Sequence, residues 1–250
     1  MQVVFHERYR EVYASDPAAA HGRIDCIVDE LRDHYTFAEP VPASEADLLL
    51  VHHKDQIERI KQRTLTWEIA VLAAGGAIKA AELAVEGERA FGLIRPPGHH
   101  ASPGSCWGFC WFNNVAIAVE KIKRSGVIKK ALIIDIDLHY GDGTANIFFN
   151  NADIIYHHVE GNTQQDFLKD LEDFIAARKN YDIVAVSAGF DRHAADWGGL
   201  LSTENYTQIG KIIKTHAQQV CQGRVFAVLE GGYNHNVLGK NVKALLSGLE

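Results

Sequence analysis

The segment "IIDIDLHYGDGT", residues 133–144, combines an apolar run with several ionisable side chains. Apolar residues at 132–134 and 136 are typical of a buried strand. The same segment also contains Asp135, Asp137, His139 and Asp142. Charged groups are almost never buried without a partner. The segment therefore predicts a strand that leaves the core at a site where its acids meet partners from neighbouring elements.

Strand-like apolar runs alternate with helical patterns along the 250-residue chain. The predicted strands are 2–5, 47–51, 90–94, 131–137, 153–157, 182–188 and 224–230. The predicted helices are 68–85, 115–124, 167–178 and 206–220. This alternation predicts an α/β fold with one mainly parallel β-sheet flanked by helices on both faces. Because no linker or repeat is visible, we expect a single domain over 1–250.

Composition and charge exclude several classes of protein. The net charge of −7 argues against a nucleic-acid partner, which usually requires a basic face. No stretch approaches the ~20 apolar residues of a membrane span. The first residues, "MQVVFHERYR", do not resemble a signal peptide, and the four cysteines have no disulfide-framework spacing. We therefore expect a cytoplasmic protein with neither a membrane nor a nucleic acid as partner.

Four of the predicted strands end in polar motifs. The motifs are "RPPGHHASPGS" after 90–94, "LHYGDG" after 131–137, "GFDRH" after 182–188 and "GGYN" after 224–230. Parallel sheets bind their ligands at the carboxyl ends of the strands. We therefore expect the four motifs to lie together along one edge of the sheet.

The residue types in two of these motifs indicate a metal. Asp137 and His139 are two positions apart on extended chain, so they point to the same side, and Asp191 ends another predicted strand. Two carboxylates and one imidazole leave an open position for water, as a catalytic zinc site requires. This ligand set also suits Fe(II) or Co(II). A lone aspartate after a strand is more often a cap or a turn former, but the coincidence on several strand ends favours a metal site.

Two adjacent histidines, His99 and His100, follow another strand. Surface or core histidines are commoner than catalytic ones, but beside a metal-bound water they become candidates for a general base and an electrostatic stabiliser. Each would need an acid to fix its tautomer. Asp135 and Asp142 are the two nearby acids that the proposed ligand set leaves free, and we place Asp135 behind the ligands.

Five motifs in order resemble the histone deacetylase and acetylpolyamine amidohydrolase family, which has the arginase–deacetylase fold. They are "RPPGHHA" (95–101), "GFCWFNNVAIA" (108–118), "DIDLHYGDGT" (135–144), "SAGFD" (187–191) and "LEGGYN" (229–234). "RPPGHH" and "VSAGFD" are most similar to class II enzymes and their bacterial relatives. The resemblance implies metal-assisted hydrolysis of an N-acyl amine, with Asp137, His139 and Asp191 as zinc ligands.

The resemblance also implies roles for the remaining motif residues. His100 would be the general base and acid beside His99, with Asp135 behind His99 and Asp142 behind His100. Tyr233 would donate a hydrogen bond to the carbonyl oxygen and then to the oxyanion. Gly108 and Phe109 would form a wall of the acyl-lysine tunnel, near which we expect Trp107 and Trp111 to be rim or packing residues.

The sequence departs from the family at several points. Only residues 157–181 separate the fifth predicted strand from "SAGFD", where the family has a longer segment. A second tunnel-wall phenylalanine and an acid that grips the substrate backbone have no counterpart. Where the family has a serine-containing strand end, this sequence reads "HHV" (157–159). The sequence therefore does not decide whether a structural potassium site is present. We expect a short, open rim unless a second subunit of a homo-oligomer covers it.

Three functions remain open at this stage. The first is a zinc-dependent deacetylase that acts on a small N-acyl amine, such as an acetylpolyamine, or on acetyl-lysine. The second is an arginase-like ureohydrolase with two metals, although "DIDLH" and "GFD" supply ligands for one site only. The third is a non-catalytic module that binds acyl-lysine.

Cys106 and Cys110 are expected to pack as thiols near the tunnel, with a redox switch as the alternative.

Overall fold

A seven-stranded parallel β-sheet forms the centre of the protein, which a computed structural model describes over residues 1–250. The strand order is β2-β1-β3-β7-β6-β4-β5, and every neighbouring pair is parallel. The strands are β1 (Gln2–Val4), β2 (Thr36–Ala38), β3 (Ala90–Gly92), β4 (Ala131–Asp135), β5 (Ile154–His158), β6 (Ile183–Ala188) and β7 (Val225–Leu229). The predicted α/β class is confirmed.

Nine α-helices flank the sheet in two layers. They are α1 (Asp25–Leu31), α2 (Glu45–Leu48), α3 (Lys54–Lys61), α4 (Thr64–Val85), α5 (Asn114–Arg124), α6 (Asp142–Ile147), α7 (Gln164–Ala176), α8 (Thr203–Cys221) and α9 (His235–Leu249). On one face α4 packs against the strands and against α5, and on the other α8 packs against β6, α7 and α9. None of these helices combines the length and hydrophobicity that a bilayer crossing needs.

Strand β4 lies between β5 and β6 and is buried at all five of its residues. Burial on both faces explains why its sequence is continuously apolar until Asp135. The four strands followed by polar motifs, β3, β7, β6 and β4, are consecutive neighbours in the sheet. The expected gathering of the four motifs at one sheet edge is therefore confirmed.

The predicted strand at 47–51 is wrong, because this segment begins inside helix α2 and continues as a turn. Ser44 caps the helix: its hydroxyl accepts from the N–H of Asp47, and the Asp47 carboxylate accepts from the N–H of Ser44. Such a capping box stabilises a helix start locally. The seventh strand is instead β2, a three-residue edge strand that is partly exposed and has no apolar run.

Candidate active site

All ten residues singled out from the sequence lie at the carboxyl ends of the four central strands, in or beside one pocket. The pocket has a volume of about 120 Å³. Its lining consists of Pro97, His99, His100, Trp107, Gly108, Phe109, His139, Trp197, Gly231 and Tyr233. The remaining predicted residues, Asp135, Asp137, Asp142 and Asp191, contact the histidines of this lining.

Asp137, His139 and Asp191 bring three potential metal-ligand atoms within 4.8 Å of one another. The His139 Nδ1 atom lies 3.2 Å from Asp137 Oδ1 and 3.1 Å from Asp191 Oδ2. Both aspartates are buried, and Asp191 Oδ2 has no hydrogen-bond partner of good geometry in the chain. A buried carboxylate oxygen without such a partner is costly unless a cation satisfies it.

Backbone N–H groups fix the orientation of the two carboxylates. Asp137 Oδ1 accepts from the N–H of His139 at 2.9 Å, and Asp137 Oδ2 accepts from the N–H of Gly231 at 2.8 Å. Asp191 Oδ1 accepts from the N–H of Leu138 at 2.9 Å. The ends of β4, β6 and β7 are thereby joined through the carboxylates themselves.

Gly231 provides the space beside these carboxylates. A Cβ atom at this position would lie 2.6 Å from Asp137 Oδ2 and 2.8 Å from Asp191 Oδ2. Real Cβ atoms do not approach that closely, so any other residue would displace the acids. A glycine lets the backbone approach a polar site that a side chain would block.

The electrostatics of the three groups also suit a cation. Hydrogen bonds to Asp137 and Asp191 raise the pKa of His139 to about 10. Burial and the charge of Asp137 raise the pKa of Asp191 to about 6. Burial would also raise the pKa of Asp137, but His99 and the hydrogen bonds from His139 and Gly231 outweigh it, so that pKa is lowered. Two carboxylates and one imidazole in this arrangement fit a divalent metal with an open position.

His99 is held by Asp135 at the end of β4. Its Nδ1 lies 3.1 Å from Asp135 Oδ2, an acceptor, so Nδ1 carries the proton. The same oxygen accepts from the hydroxyl of Tyr156 at 2.9 Å, and Asp135 Oδ1 accepts from the N–H of Asp137 at 3.1 Å. Tyr156 was not predicted, since no sequence pattern links a tyrosine in the edge strand β5 to Asp135.

His100 is held by Asp142 and covered by an indole ring. Its Nδ1 donates to Asp142 Oδ1 at 2.7 Å, which leaves Nε2 as the unprotonated nitrogen. Trp107 donates to Asp142 Oδ2 at 2.9 Å, and its ring centroid lies 4.0 Å from that of His100. Trp107 is thus more than the rim residue expected from the sequence.

The two histidines differ in charge. For His99, burial would lower the pKa, but the charges of Asp137 and Asp135 outweigh it and the pKa lies well above its ordinary value. For His100, burial and the positive charge of His99 lower the pKa. At neutral pH, His99 is therefore cationic and His100 is neutral.

Tyr233 forms one side of the pocket. Asp196 Oδ2 accepts from the N–H groups of Tyr233 at 2.8 Å and of Asn234 at 2.7 Å, which fixes the turn after β7. The Tyr233 ring stacks on Trp197 at 4.1 Å and meets the edge of Phe109 at 6.1 Å. The sequence contains no counterpart of a second tunnel-wall phenylalanine, and Trp197 extends the aromatic wall of the pocket instead.

Phe109 and the preceding Gly108 both have left-handed backbone, with φ of 65° and 59°. This conformation costs a bulky residue on the order of 1–3 kcal/mol. A Cβ at Gly108 would lie 2.4 Å from His100 Cδ2, so this position also requires glycine. The turn sends the Phe109 ring towards Tyr233.

A second group of potential donors, His99, Cys110 and Glu230, lies beneath the pocket. Two of its groups are already engaged, because His99 Nδ1 bonds Asp135 and Glu230 Oε2 accepts from the N–H groups of Gly98 and His99, whereas the buried Glu230 Oε1 has no hydrogen-bond partner. Cys110 is a buried free thiol, and Cys106 is a half-buried free thiol. Glu230 was not predicted as a site residue.

Comparison with known proteins gives a consistent family. Residues 18–163 and 157–249 match the family model of the histone deacetylase domain. The two matches overlap at 157–163, close to the position where the sequence has the shortened segment. The crystal structure of the HDA15 HD domain superposes with a TM-score of 0.84 over the whole chain and 90% of that domain, at 24% identity, which shows a shared fold.

Curated relatives extend over most of the chain. A probable deacetylase of Archaeoglobus fulgidus is 30% identical and covers 93% of this chain, which spans 81% of that relative. A probable deacetylase of Methanothermobacter thermautotrophicus is 30% identical, and the alignment covers 86% of this chain and 79% of that relative. The first alignment runs over 292 positions, more than the 250 residues of this chain, so the two proteins differ by inserted segments.

Proposed function

Because the chain belongs to the histone deacetylase domain family, we propose that it is a metal-dependent deacetylase that hydrolyses the amide of an N-acyl amine. Deacetylase-type hydrolysis follows from the family. The observation that supports the rest is one pocket that contains a carboxylate–imidazole trio, two histidine–aspartate pairs and a tyrosine. We further propose that residues 1–250 act as one catalytic domain.

Asp137, His139 and Asp191 would hold the metal, which we propose is zinc, with Fe(II) or Co(II) as substitutes. Bound there, a divalent ion would polarise the amide carbonyl and lower the pKa of a water molecule. The buried Asp191 Oδ2 and the space beside Gly231 are the features of this chain that suit such an ion.

His100 is the proposed general base. It lines the pocket, it is neutral, and its Nδ1 proton is bound to Asp142, so Nε2 is free to take a proton from the attacking water. The protonated ring then gives that proton to the nitrogen of the leaving amine. Asp142 stabilises the imidazolium that exists between the two transfers.

His99 is the proposed electrostatic stabiliser. In the chain without metal, Asp137 and Asp135 raise its pKa well above the ordinary value, which favours the cationic form of the ring. Its Nε2 lies 3.8 Å from Asp137 Oδ1 and its ring is 4.0 Å from that of His100. A fixed positive charge beside the pocket would stabilise the negative charge that develops on the reacting amide.

Tyr233 is the proposed donor to the oxyanion. Burial raises the pKa of its hydroxyl well above the ordinary value, so the group remains protonated and can donate. Asp196 holds its backbone and Trp197 holds its ring. A donor that is already in place when charge develops costs no reorganisation in the transition state.

The shape of the pocket indicates a slim substrate. Its volume of about 120 Å³ is well below the ~300–1,000 Å³ of typical ligand pockets. Phe109, Trp107 and Trp197 form an aromatic entrance that a linear acyl-amine arm can pass. We propose an acetylated amine, either a small acetylpolyamine or acetyl-lysine, with turnover of small amines comparable to that of peptides.

A hydrolysis panel tests this function. The protein is stripped with a chelator, reloaded with zinc, Fe(II) or Co(II), and assayed on acetylpolyamines, acetyl-lysine peptides, and the guanidino compounds of a ureohydrolase. Release of acetate that depends on metal supports the proposal. Release of urea would favour the ureohydrolase, and binding of acetyl-lysine without turnover by every metal form would favour a non-catalytic module.

A further inference from the structure

The side chain of Arg192 crosses beneath the proposed metal ligands. Its Nε donates to the backbone oxygen of Asp137 at 3.0 Å. Its terminal NH2 group donates to the backbone oxygen of Val159 at 3.1 Å and lies 2.9 Å from His158 Nε2. One guanidinium thus joins the ends of β4 and β5 to the loop after β6.

This guanidinium is buried without an acid as its direct partner. Arg192 is 8% exposed, and no carboxylate lies within 4.0 Å of its nitrogens. Phe167 covers it at 5.1 Å from the ring centroid. Its charge is therefore satisfied by carbonyl oxygens, by an imidazole nitrogen and, at longer range, by the acids of the pocket.

Carbonyl oxygens converging on one point are also the ligands of a monovalent cation. The resemblance to the family did not decide whether a potassium site exists at this strand end, where the sequence reads "HHV". The residues present do not fit potassium. The oxygens of Asp137 and Val159 already accept from Arg192, and the neighbouring His158 offers a nitrogen to the guanidinium in place of an oxygen.

We propose that Arg192 is a built-in cation that takes the place of a potassium ion and positions the ligand Asp137. The guanidinium holds the carbonyl of Asp137 while the Asp137 side chain points into the pocket. Since Arg192 directly follows Asp191, the same contact also fixes the backbone next to that second ligand. Arg192 acts through these residues and does not line the pocket.

Melting temperatures of the wild-type chain test the first half of this proposal. The chelator-treated protein is melted in KCl, NaCl and choline chloride at equal ionic strength. We expect the three melting temperatures to agree. Saturation of a potassium site at 100 times its Kd would raise Tm by roughly 5–10 °C in KCl alone, and such a rise would overturn the proposal.

Two substitutions test the positioning role. Arg192→Lys keeps a cation that can donate to one carbonyl, whereas Arg192→Met keeps only the length of the side chain. We expect Arg192→Met to weaken metal binding by about 10- to 100-fold, measured by titration of the metal-free protein, and Arg192→Lys to weaken it less. Equal losses in both variants, or no loss in Arg192→Met, would contradict a role of the charge.

Arg178→Met is the matched control. Arg178 also lies over an aromatic ring, Phe174, and donates to a backbone oxygen, but just past the end of α7 and outside the pocket lining. It should leave metal affinity unchanged. If Arg192→Met does not fold, the wild-type salt comparison still decides the first half of the proposal, and the metal affinity of Arg192→Lys relative to the wild type tests the second. The positioning role rests on the proposed function, because it assumes that Asp137 is a metal ligand. A wild-type chain that binds no metal would overturn the proposed function, whereas the salt comparison tests the replacement of potassium independently of it.

Discussion

Trp107 donates its indole N–H to one oxygen of Asp142 at 2.9 Å, while the other oxygen of that carboxylate accepts from His100 at 2.7 Å. The Trp107 ring also packs against His100, with the two planes tilted by 33° and the ring centroids 4.0 Å apart. Both contacts restrict the half-exposed Asp142, which would otherwise be free to turn towards solvent. The indole therefore holds His100 and Asp142 in one geometry.

Substitution of Trp107 separates its two contacts. Trp107→Phe keeps a ring over His100 and loses the donor to Asp142, so we expect kcat to fall by up to about 10-fold. Trp107→Leu loses both contacts and should fall further. Trp111→Phe is the control, because Trp111 lies beside Arg63 outside the pocket lining. Equal kcat in the wild type and Trp107→Leu, where chemistry limits the rate, would show that Asp142 needs no such support.

Asp191→Ala tests the proposed metal ligands. Removal of one of three ligands should abolish both stoichiometric metal and activity, because two remaining ligands cannot hold a catalytic ion. Elemental analysis of the purified protein measures the metal. The control is Asp173→Ala, an exposed aspartate paired with Lys169 on α7. An Asp191→Ala protein that still binds one metal per chain would refute the ligand assignment.

Tyr233→Phe removes a single hydroxyl. Loss of one donor to an oxyanion lowers kcat by ~10²–10³, about 2.7–4 kcal/mol. KM and metal content should change little, since the interaction strengthens in the transition state and Tyr233 is not a ligand. The matched control is Tyr140→Phe, an exposed tyrosine that does not line the pocket. A kcat within about threefold of wild type would exclude the hydroxyl from the mechanism.

Glu230 predicts a pH dependence of stability. It is completely buried, and burial raises its pKa from 4.5 to about 7. The folded chain therefore binds this proton more tightly than the unfolded chain. The stabilisation is complete below pH 4.5 and is lost as the pH rises to about 7, an effect of about 3 kcal/mol.

Glu230→Gln removes this titration while keeping the shape of the side chain. The free energy of unfolding of both metal-free proteins is measured by denaturant titration at pH 5 and at pH 8. The value of the variant should rise relative to that of the wild type between these two pH values. Glu86→Gln, at an exposed position at the end of α4, should show no such trend. A difference between Glu230→Gln and the wild type that stays constant with pH would mean that Glu230 ionises as readily in the folded chain as in the unfolded chain.

The sequence predicted those parts of the site in which a residue type conflicts with its surroundings. Acids at 135 and 137 stand out because they interrupt an apolar strand. Asp196, Trp197 and Arg192 do not stand out, because they lie in a polar loop where charged and aromatic residues are ordinary. Their contacts with Tyr233 and with the ends of β4 and β5 depend on the packing of distant segments.

The errors in the fold have other causes. The apolar letters of 47–51 suggest a strand, but a local capping box decides for helix α2. The edge strand β2 pairs only with β1 and is partly exposed, so it needs no apolar pattern. Strands with both faces buried, such as β4, were placed correctly because burial itself constrains their composition.

The loop after β6 has a consequence for how this protein can tolerate changes in length. Within residues 191–197 lie a proposed metal ligand, the buried cation, the acceptor that holds the turn of Tyr233, and an aromatic wall of the pocket. One residue inserted or deleted between Arg192 and Asp196 would shift the last two of these groups relative to the first two. The segment 160–163, by contrast, lines no part of the pocket and makes none of the contacts of Arg192, and it lies where the two family matches overlap. We therefore expect the loop after β6 to tolerate no change in length, whereas the connection after Val159 can vary in length.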